Sequence, residues 1–156
     1  MFQTFRTSLA GAALVAGATL PATAYAQATP PAAEEAAVRR AVEHYFMGHA
    51  TGDGSHFRAA FHPVANLYFV RDGKLMTRTG ADYIAGARGA PSPDESRQSR
   101  VVERIDVTGT AAVAKLVLDG PEAKVTDYMA LLKTDGEWKI VSKIFFVERK
   151  APPGRP

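Results

Sequence analysis

The chain contains no cysteine and little net charge of either sign among its 156 residues. The absence of cysteine excludes a disulfide framework, a thiol nucleophile, a thiolate zinc site and a lipidated cysteine. The formal net charge is +3, and Arg6 is the only charged side chain in residues 1–26, so the remainder carries +2. So small an excess gives a nucleic acid little to bind. A hydrophobic content of 46% in this length fits one ordinary globular domain.

Residues 1–26 have the pattern of an export signal. Arg6 precedes an apolar run from Leu9 to Leu20, about 12 residues long and shorter than the roughly 20 that cross a bilayer. A small-x-small cleavage motif follows at residues 24–26. We therefore expect residues 1–26 to be a cleaved signal peptide and residues 27–33 to be a linker. The domain would occupy residues 34–148, ahead of a flexible tail at 149–156, in a periplasmic or secreted protein with no membrane attachment after cleavage.

Helical periodicity extends from about Ala33 to Ala50. One stripe of this helix carries the side chains expected to be buried, which are Val38, Ala41, Val42, Tyr45 and His49. A Gly-Asp turn follows, and a second short helix is predicted from Ser55 to Phe61, because the residue before Pro63 resists helical geometry.

The rest of the chain alternates like β-structure. A hairpin at residues 66–78, a third helix at 80–88 and four longer strands are predicted, the strands at 97–107, 111–118, 124–134 and 138–148. In the last strand, strict alternation places Trp138, Ile140, Ser142, Ile144 and Phe146 on one face, and Lys139, Val141, Lys143 and Phe145 on the other. Helices followed by an antiparallel meander predict the α+β class, a curved antiparallel sheet with N-terminal helices packed on its concave face.

This order of elements resembles the nuclear transport factor two-like superfamily, whose fold is a cystatin-like cone. Two stretches, Phe61 to Leu67 and Thr126 to Phe145, resemble an exported bacterial family labelled "putative lumazine-binding". The similarity extends over roughly residues 34–147. It implies a pocket within the cone for a small-molecule ligand, and it favours a homodimer.

Enzymes of this superfamily provide a comparison for individual positions. In members that resemble steroid isomerases, a tyrosine of the first helix is the oxyanion donor, and Tyr45 resembles it; their strand carboxylate is missing from residues 67–70. Members that resemble scytalone dehydratase have an aspartate where this chain has Phe46, and they use strand histidines. All four histidines of this chain precede Pro63. Both departures count against these two chemistries.

Tyr45, His49 and Asp127 are the candidate catalytic residues. Asp127 lies on an apolar strand face, and the end of a helix favours a charged His49. If the helix covers that face, His49 and Asp127 can form a base and its orienting partner, with Tyr45 as an electrophilic donor. The alternative is structural: Asp127 is a hydrogen-bonded acid that either pairs with Lys143 or accepts from a turn, and His49 is a satisfied interior polar group. No cofactor fingerprint occurs, and the five-residue spacing of His44 and His49 does not suit a metal site.

Aromatic side chains predict an apolar pocket of several hundred Å³ beneath the first helix. The candidate lining is Tyr68, Phe69, Tyr128, Met129, Trp138 and Phe146, of which Tyr68, Tyr128, Met129 and Trp138 are the predicted ligand-binding residues. The alternative is that they form ordinary core. Three functions are therefore open: capture of a small apolar or aromatic molecule, cofactor-independent lyase or isomerase activity, and homodimerisation. The dimer surface would be the outer sheet face, with Val141 and Phe145 between Lys139 and Lys143.

Overall fold

A computed structural model describes residues 31–151, so the predicted signal peptide, most of the linker and the end of the tail lie outside the described residues. In chain order the elements are α1 (Pro31–Thr51), α2 (Gly54–Ala60), β1 (Phe61–Arg71), β2 (Lys74–Thr79), α3 (Gly80–Ala85), a 3₁₀ turn (Glu95–Arg97), β3 (Ser99–Thr108), β4 (Ala111–Asp119), β5 (Ala123–Thr134) and β6 (Glu137–Arg149). The predicted α+β class is confirmed. Within residues 31–151, no helix has the length and hydropathy to cross a membrane.

The six strands form one curved sheet in the order β2-β1-β6-β5-β4-β3. Its neighbouring pairs are antiparallel except β1 and β6, which run parallel, so the predicted all-antiparallel sheet is mixed at this one position. A hairpin turn forces its two strands to be antiparallel, whereas β1 and β6 become neighbours through a long connection that leaves their direction free.

Helix α1 covers the concave face of the sheet and contacts both β3 and β6. Val38, Ala41, Val42 and Tyr45 are buried along one stripe, as the periodicity predicts. Near the start of the helix, the Glu34 carboxylate accepts hydrogen bonds from Trp138 Nε1 at 2.8 Å and from Lys133 Nζ at 2.7 Å. These contacts fix the N-terminal half of α1 to the β5–β6 hairpin.

The short helices are fixed by side-chain caps. Asp53 accepts a hydrogen bond from the backbone N–H of Ser55 at 2.7 Å at the start of α2, and Thr79 accepts one from Asp82 at 3.1 Å at the start of α3. Helix α3 ends at Ala85, three residues before the predicted end at 88, and Gly86 is its C-cap. Gly48 allows α1 and α2 to meet, because a Cβ there would lie 2.5 Å from the Phe57 ring.

A β-bulge at Val141 changes which face the second half of β6 presents. Leu131 of β5 pairs with Ile140 and the preceding Ala130 pairs with Ser142, so Val141 has no partner. Beyond the bulge, Lys143 is buried among the core residues, while Ile144 is exposed. Strict alternation through residues 138–146 was therefore wrong, because one extra residue inverts the pattern.

The same bulge overturns the predicted dimer surface. Lys143 is buried and Phe145 is half-buried against the core, so neither belongs to the outer face. The outer face instead exposes apolar side chains of three strands, which are Val113, Tyr128, Leu132, Ile144 and Phe146.

Candidate functional site

A buried cluster of three polar side chains lies where α1 crosses the sheet. Tyr45 comes from α1, Asp127 from β5 and Lys143 from β6. The Tyr45 hydroxyl donates to Asp127 Oδ2 at 2.7 Å and accepts from Lys143 Nζ at 2.6 Å. Asp127 Oδ1 lies 2.9 Å from Nζ as an ion pair, without hydrogen-bond geometry. The cluster is sealed from solvent, because the Asp127 and Lys143 side chains are 0% and 4% exposed.

Burial and nearby groups keep the Tyr45 hydroxyl of this cluster protonated. Burial, helped by the charge of Asp127 and by Tyr83, raises the pKa of Tyr45 well above its ordinary value. Tyr45 therefore keeps its proton, and its hydroxyl donates a hydrogen bond to Asp127. The ammonium of Lys143 also lies within 4.9 Å of the Tyr45 ring centroid, 5.4 Å of that of Tyr83 and 4.7 Å of that of Phe145. The pairing of Asp127 with Lys143 is confirmed. It favours a structural role for Asp127 over a catalytic one.

His49 has a different partner from the one the catalytic hypothesis needs. Its Nε2 lies 2.8 Å from the Tyr83 hydroxyl, and its ring meets the ring of Tyr45 edge-on at 4.7 Å. Burial, followed by the charge of Lys143, lowers the pKa of His49 to about 3. The expectation that the helix end favours a charged His49 was therefore wrong, because desolvation and nearby cations outweigh the helix dipole. The hydrogen bonds of His49 and Asp127 go to separate partners.

The space beneath the middle of α1 is filled, so the predicted cavity does not lie there. Tyr45 packs among the rings of Phe57, Phe61 and Tyr83, with centroids 6.0 to 6.5 Å apart. A cavity of about 470 Å³ opens instead at the C-terminal ends of β1 and β6. We call it the mouth pocket; its lining is Leu67, Phe69, Val70, Arg71, Asp72, Arg78, Tyr83, Phe145, Phe146, Val147 and Arg149.

The mouth pocket adjoins the buried cluster through two of its walls. Tyr83 and Phe145 line the pocket and also contact the Lys143 ammonium. Phe69 stacks on Phe145 with centroids 4.9 Å apart and an interplanar angle of 28°. Tyr83 also borders a second cavity of about 320 Å³ that contains His49 in its lining. The pocket can therefore hold a flat apolar group, but the polar cluster lies behind aromatic rings.

The four predicted ligand-binding residues do not share one pocket. Trp138 is buried in the core, where it donates to Glu34. Tyr68 pairs with Ile144 on the outer side of the sheet. Tyr128 and the core residue Met129 both border a groove of about 570 Å³ that contains Ile144. Of the wider predicted lining, Phe69 and Phe146 do border the mouth pocket.

Sequence reasoning did not assign Arg78, Tyr83 or Phe145 to a ligand pocket. The bulge hid Phe145, and Tyr83 looked like an ordinary apolar position of a short helix. A sequence signal existed for the buried pair and not for the pocket: Lys143 lies in the run Ile140 to Phe146, where Ser142 is the only other polar residue, and a buried Asp127 requires a cation.

The remaining histidines have local contacts. His62 Nδ1 accepts from the backbone N–H of Val64 at 3.3 Å, so its hydrogen bond is local. The rings of His44 and His56 lie 5.9 Å apart near the surface. Within residues 31–151, no three His, Asp or Glu side chains converge as metal ligands would.

Comparison with known proteins places this fold. The family described as "Putative lumazine-binding" matches residues 33–146. An NTF2-like protein of unknown function from Shewanella baltica OS155 is 30% identical, with 78% of this chain and 98% of that chain covered and a TM-score of 0.71. A protein of unknown function with a cystatin-like fold from Nostoc punctiforme, 12% identical with 75% and 92% covered, has a TM-score of 0.57 and supports the fold alone.

One relative carries the name of an enzyme. Aldolase FrzH from Cladobotryum sp. is 29% identical over 96 residues, which are 60% of this chain and 75% of that protein.

The buried ion pair leads to a prediction about stability. Lys143→Met should lower the free energy of unfolding by about 3–5 kcal/mol, because it leaves the Asp127 charge buried without a cation. Asp127→Asn should cost a similar amount. The double variant should lose several kcal/mol less than the two single losses combined. Urea unfolding measures all three.

The matched control is the exposed pair Lys150–Asp119, with an N–O distance of 2.6 Å. Lys150→Met should cost no more than about 1 kcal/mol. Additive losses in the Lys143 and Asp127 cycle would show that the buried pair is not energetically coupled.

The lowered pKa of His49 predicts acid sensitivity. Below about pH 6.5 the unfolded chain protonates this histidine while the folded chain does not, so stability falls as the pH drops towards 3. The slope from this group is at most about 1.4 kcal/mol per pH unit. His49→Gln, which can still bond Tyr83, should flatten the decline measured by denaturant unfolding between pH 6.5 and 4. His44→Gln, an exposed change on the same helix, should leave it unchanged; equal slopes in both variants would contradict the assignment.

Proposed function

Since this chain belongs to the family described as "Putative lumazine-binding", we propose that it captures a small, largely aromatic molecule in the mouth pocket. The observation that carries the proposal is a 470 Å³ cavity at the open end of the sheet with three aromatic walls, Phe69, Tyr83 and Phe145. Ligand pockets are usually concave and mainly apolar, with a few polar groups at defined positions, and this volume lies in their range.

The chemistry of the walls favours a planar ligand. Phe69 and Phe145 already stack with each other, so a further flat ring can extend the stack at their exposed edges. Two of the aromatic walls, Tyr83 and Phe145, pack against the core, which gives the pocket a rigid back. Binding to a preformed rigid site orders few side chains, and this lowers its entropic cost.

Filling the pocket tests this proposal. Val147→Trp places a large ring in the mouth pocket and should abolish stabilisation by the ligand, because the ring occupies its space. In the unchanged protein, a ligand at about 100 times its Kd should raise the free energy of unfolding by roughly 2.7 kcal/mol. Native mass spectrometry of protein from its own host should show a retained small molecule in the unchanged chain but not in Val147→Trp. Val64→Trp, at an exposed site of β1, is the control. Retention by both variants would place the ligand elsewhere.

A second candidate is a cofactor-independent lyase or isomerase, as the similarity to Aldolase FrzH suggests. The pKa of about 3 makes His49 a weak base near neutral pH, so such chemistry would depend on Tyr45, Asp127 and Lys143. Their burial behind Tyr83 and Phe145 favours binding over turnover. Deuterium exchange at the α-carbon of small ketones and aldehydes, lost in Tyr45→Phe, would support the enzyme instead.

We also propose a homodimer formed by the outer face of the sheet. Ile144 and Phe146 are 53% and 69% exposed there, beside Val113, Tyr128 and Leu132. An apolar surface of this extent marks an interaction site more often than a solvated face. Light scattering should report twice the chain mass for the unchanged protein and a monomer for Ile144→Lys. Leu75→Lys, a change of an exposed residue on β2, should stay dimeric; a monomeric unchanged protein at every concentration would end the proposal.

We also propose that the protein is exported from the cytoplasm. The signal pattern of residues 1–26 supports release outside the cytoplasm, and removal of those residues leaves the whole described domain in place. N-terminal sequencing of the released protein should begin at Gln27.

A further inference from the structure

We propose that the ligand of the mouth pocket carries a carboxylate, so that the natural ligand is a planar aromatic acid. This inference rests on the proposed binding function and specifies its ligand class. The lining contains three guanidinium groups, Arg71, Arg78 and Arg149, against one carboxylate, Asp72. A cavity with aromatic walls and an excess of cations at its rim suits a flat anion.

The three arginines are available for an anion. Among residues 31–151, none of them forms an ion pair with a carboxylate; Arg39, Arg97, Arg100 and Arg104 do, and Arg40, Arg58 and Arg88 do not. The Asp72 carboxylate makes no ion pair with them either, although it borders the same cavity. Incoming negative charge therefore does not have to displace an existing carboxylate.

Two of these guanidinium groups are held in place by the pocket walls. The Arg71 guanidinium lies 5.4 Å from the centroid of Phe69, and that of Arg78 lies 5.2 Å from the centroid of Tyr83. A guanidinium positioned on a ring keeps its N–H groups for other acceptors and loses little freedom when it bonds a carboxylate. The same rings that would contact the flat part of the ligand thus position the groups that would bind its acid.

Gly86 makes room for Arg78. Arg78 Nη2 donates to the carbonyl of Asp82 at 2.5 Å, and a Cβ at Gly86 would overlap Nη2. The φ angle of Gly86 is −83°, which an alanine adopts without strain. Gly86→Ala therefore moves the Arg78 guanidinium and leaves the net charge unchanged. This variant tests whether the position of the guanidinium matters apart from its charge.

The experiment compares two probes of the same shape, 2-naphthoate and the neutral 2-naphthamide, by calorimetry at pH 7. The unchanged protein should bind 2-naphthoate at least about tenfold more tightly than 2-naphthamide, because hydrogen bonds between charged groups are stronger than those between neutral groups. Arg78→Gln and Gly86→Ala should both reduce that preference. The triple change of Arg71, Arg78 and Arg149 to Gln should reduce it to about onefold. Arg104→Gln, with the same charge change as Arg78→Gln but on the opposite edge strand β3, should keep it.

The results distinguish a failure of the carboxylate inference from a failure of the proposed binding pocket. Equal affinity for both probes in the unchanged protein, or a preference that survives in the triple variant, overturns the carboxylate while leaving the pocket. Failure of both probes to bind at about 1 mM, or binding that Val147→Trp does not weaken, overturns capture of planar molecules in the mouth pocket itself. Circular dichroism of every variant verifies that the fold is intact.

Discussion

The ion pair between Lys143 and Asp127 is the contact on which the rest of this structure depends. Removing either charge from water costs several kcal/mol, so neither residue is tolerated in the interior without the other. The Tyr45 hydroxyl completes the cluster by donating to the acid and accepting from the amine. Because the three residues come from α1, β5 and β6, satisfying one pair of charges also fixes the helix on the sheet.

The bulge at Val141 is what makes this pair possible. A regular β6 would turn Lys143 towards solvent and leave Asp127 alone in the core. The same extra residue turns Phe145 inward to a pocket wall and turns Ile144 outward. One insertion therefore determines both the interior cluster and the apolar outer surface, so the proposed binding site and the proposed dimer surface share a structural origin.

The fold could be read from the sequence because its signals are local. The stripe of α1, the capping residues and the glycine turns depend on neighbouring residues, and each strand was found within a few positions, although β1 is longer at both ends than the predicted strand at 66–70. Asp127 was identified and its partner Lys143 was named, yet Lys143 was assigned to the wrong face, because no local pattern reveals a bulge. The position of the cavity depends on how rings from α1, α2 and α3 fill the cone, which is a property of three-dimensional packing.

The ring contacts also connect the mouth pocket to the buried pair. Lys143 contacts Phe145, Phe145 stacks on Phe69, and Arg71 lies over Phe69; a shorter series runs from Lys143 through Tyr83 to Arg78. Tyr83 thus contacts both the interior cation and a rim cation, whereas Phe145 contacts Lys143 and Phe69 contacts Arg71. Because Tyr83 and Phe145 separate the mouth pocket from a cluster that is already sealed from solvent, this arrangement supports the proposed capture of a ligand over the proposed chemistry.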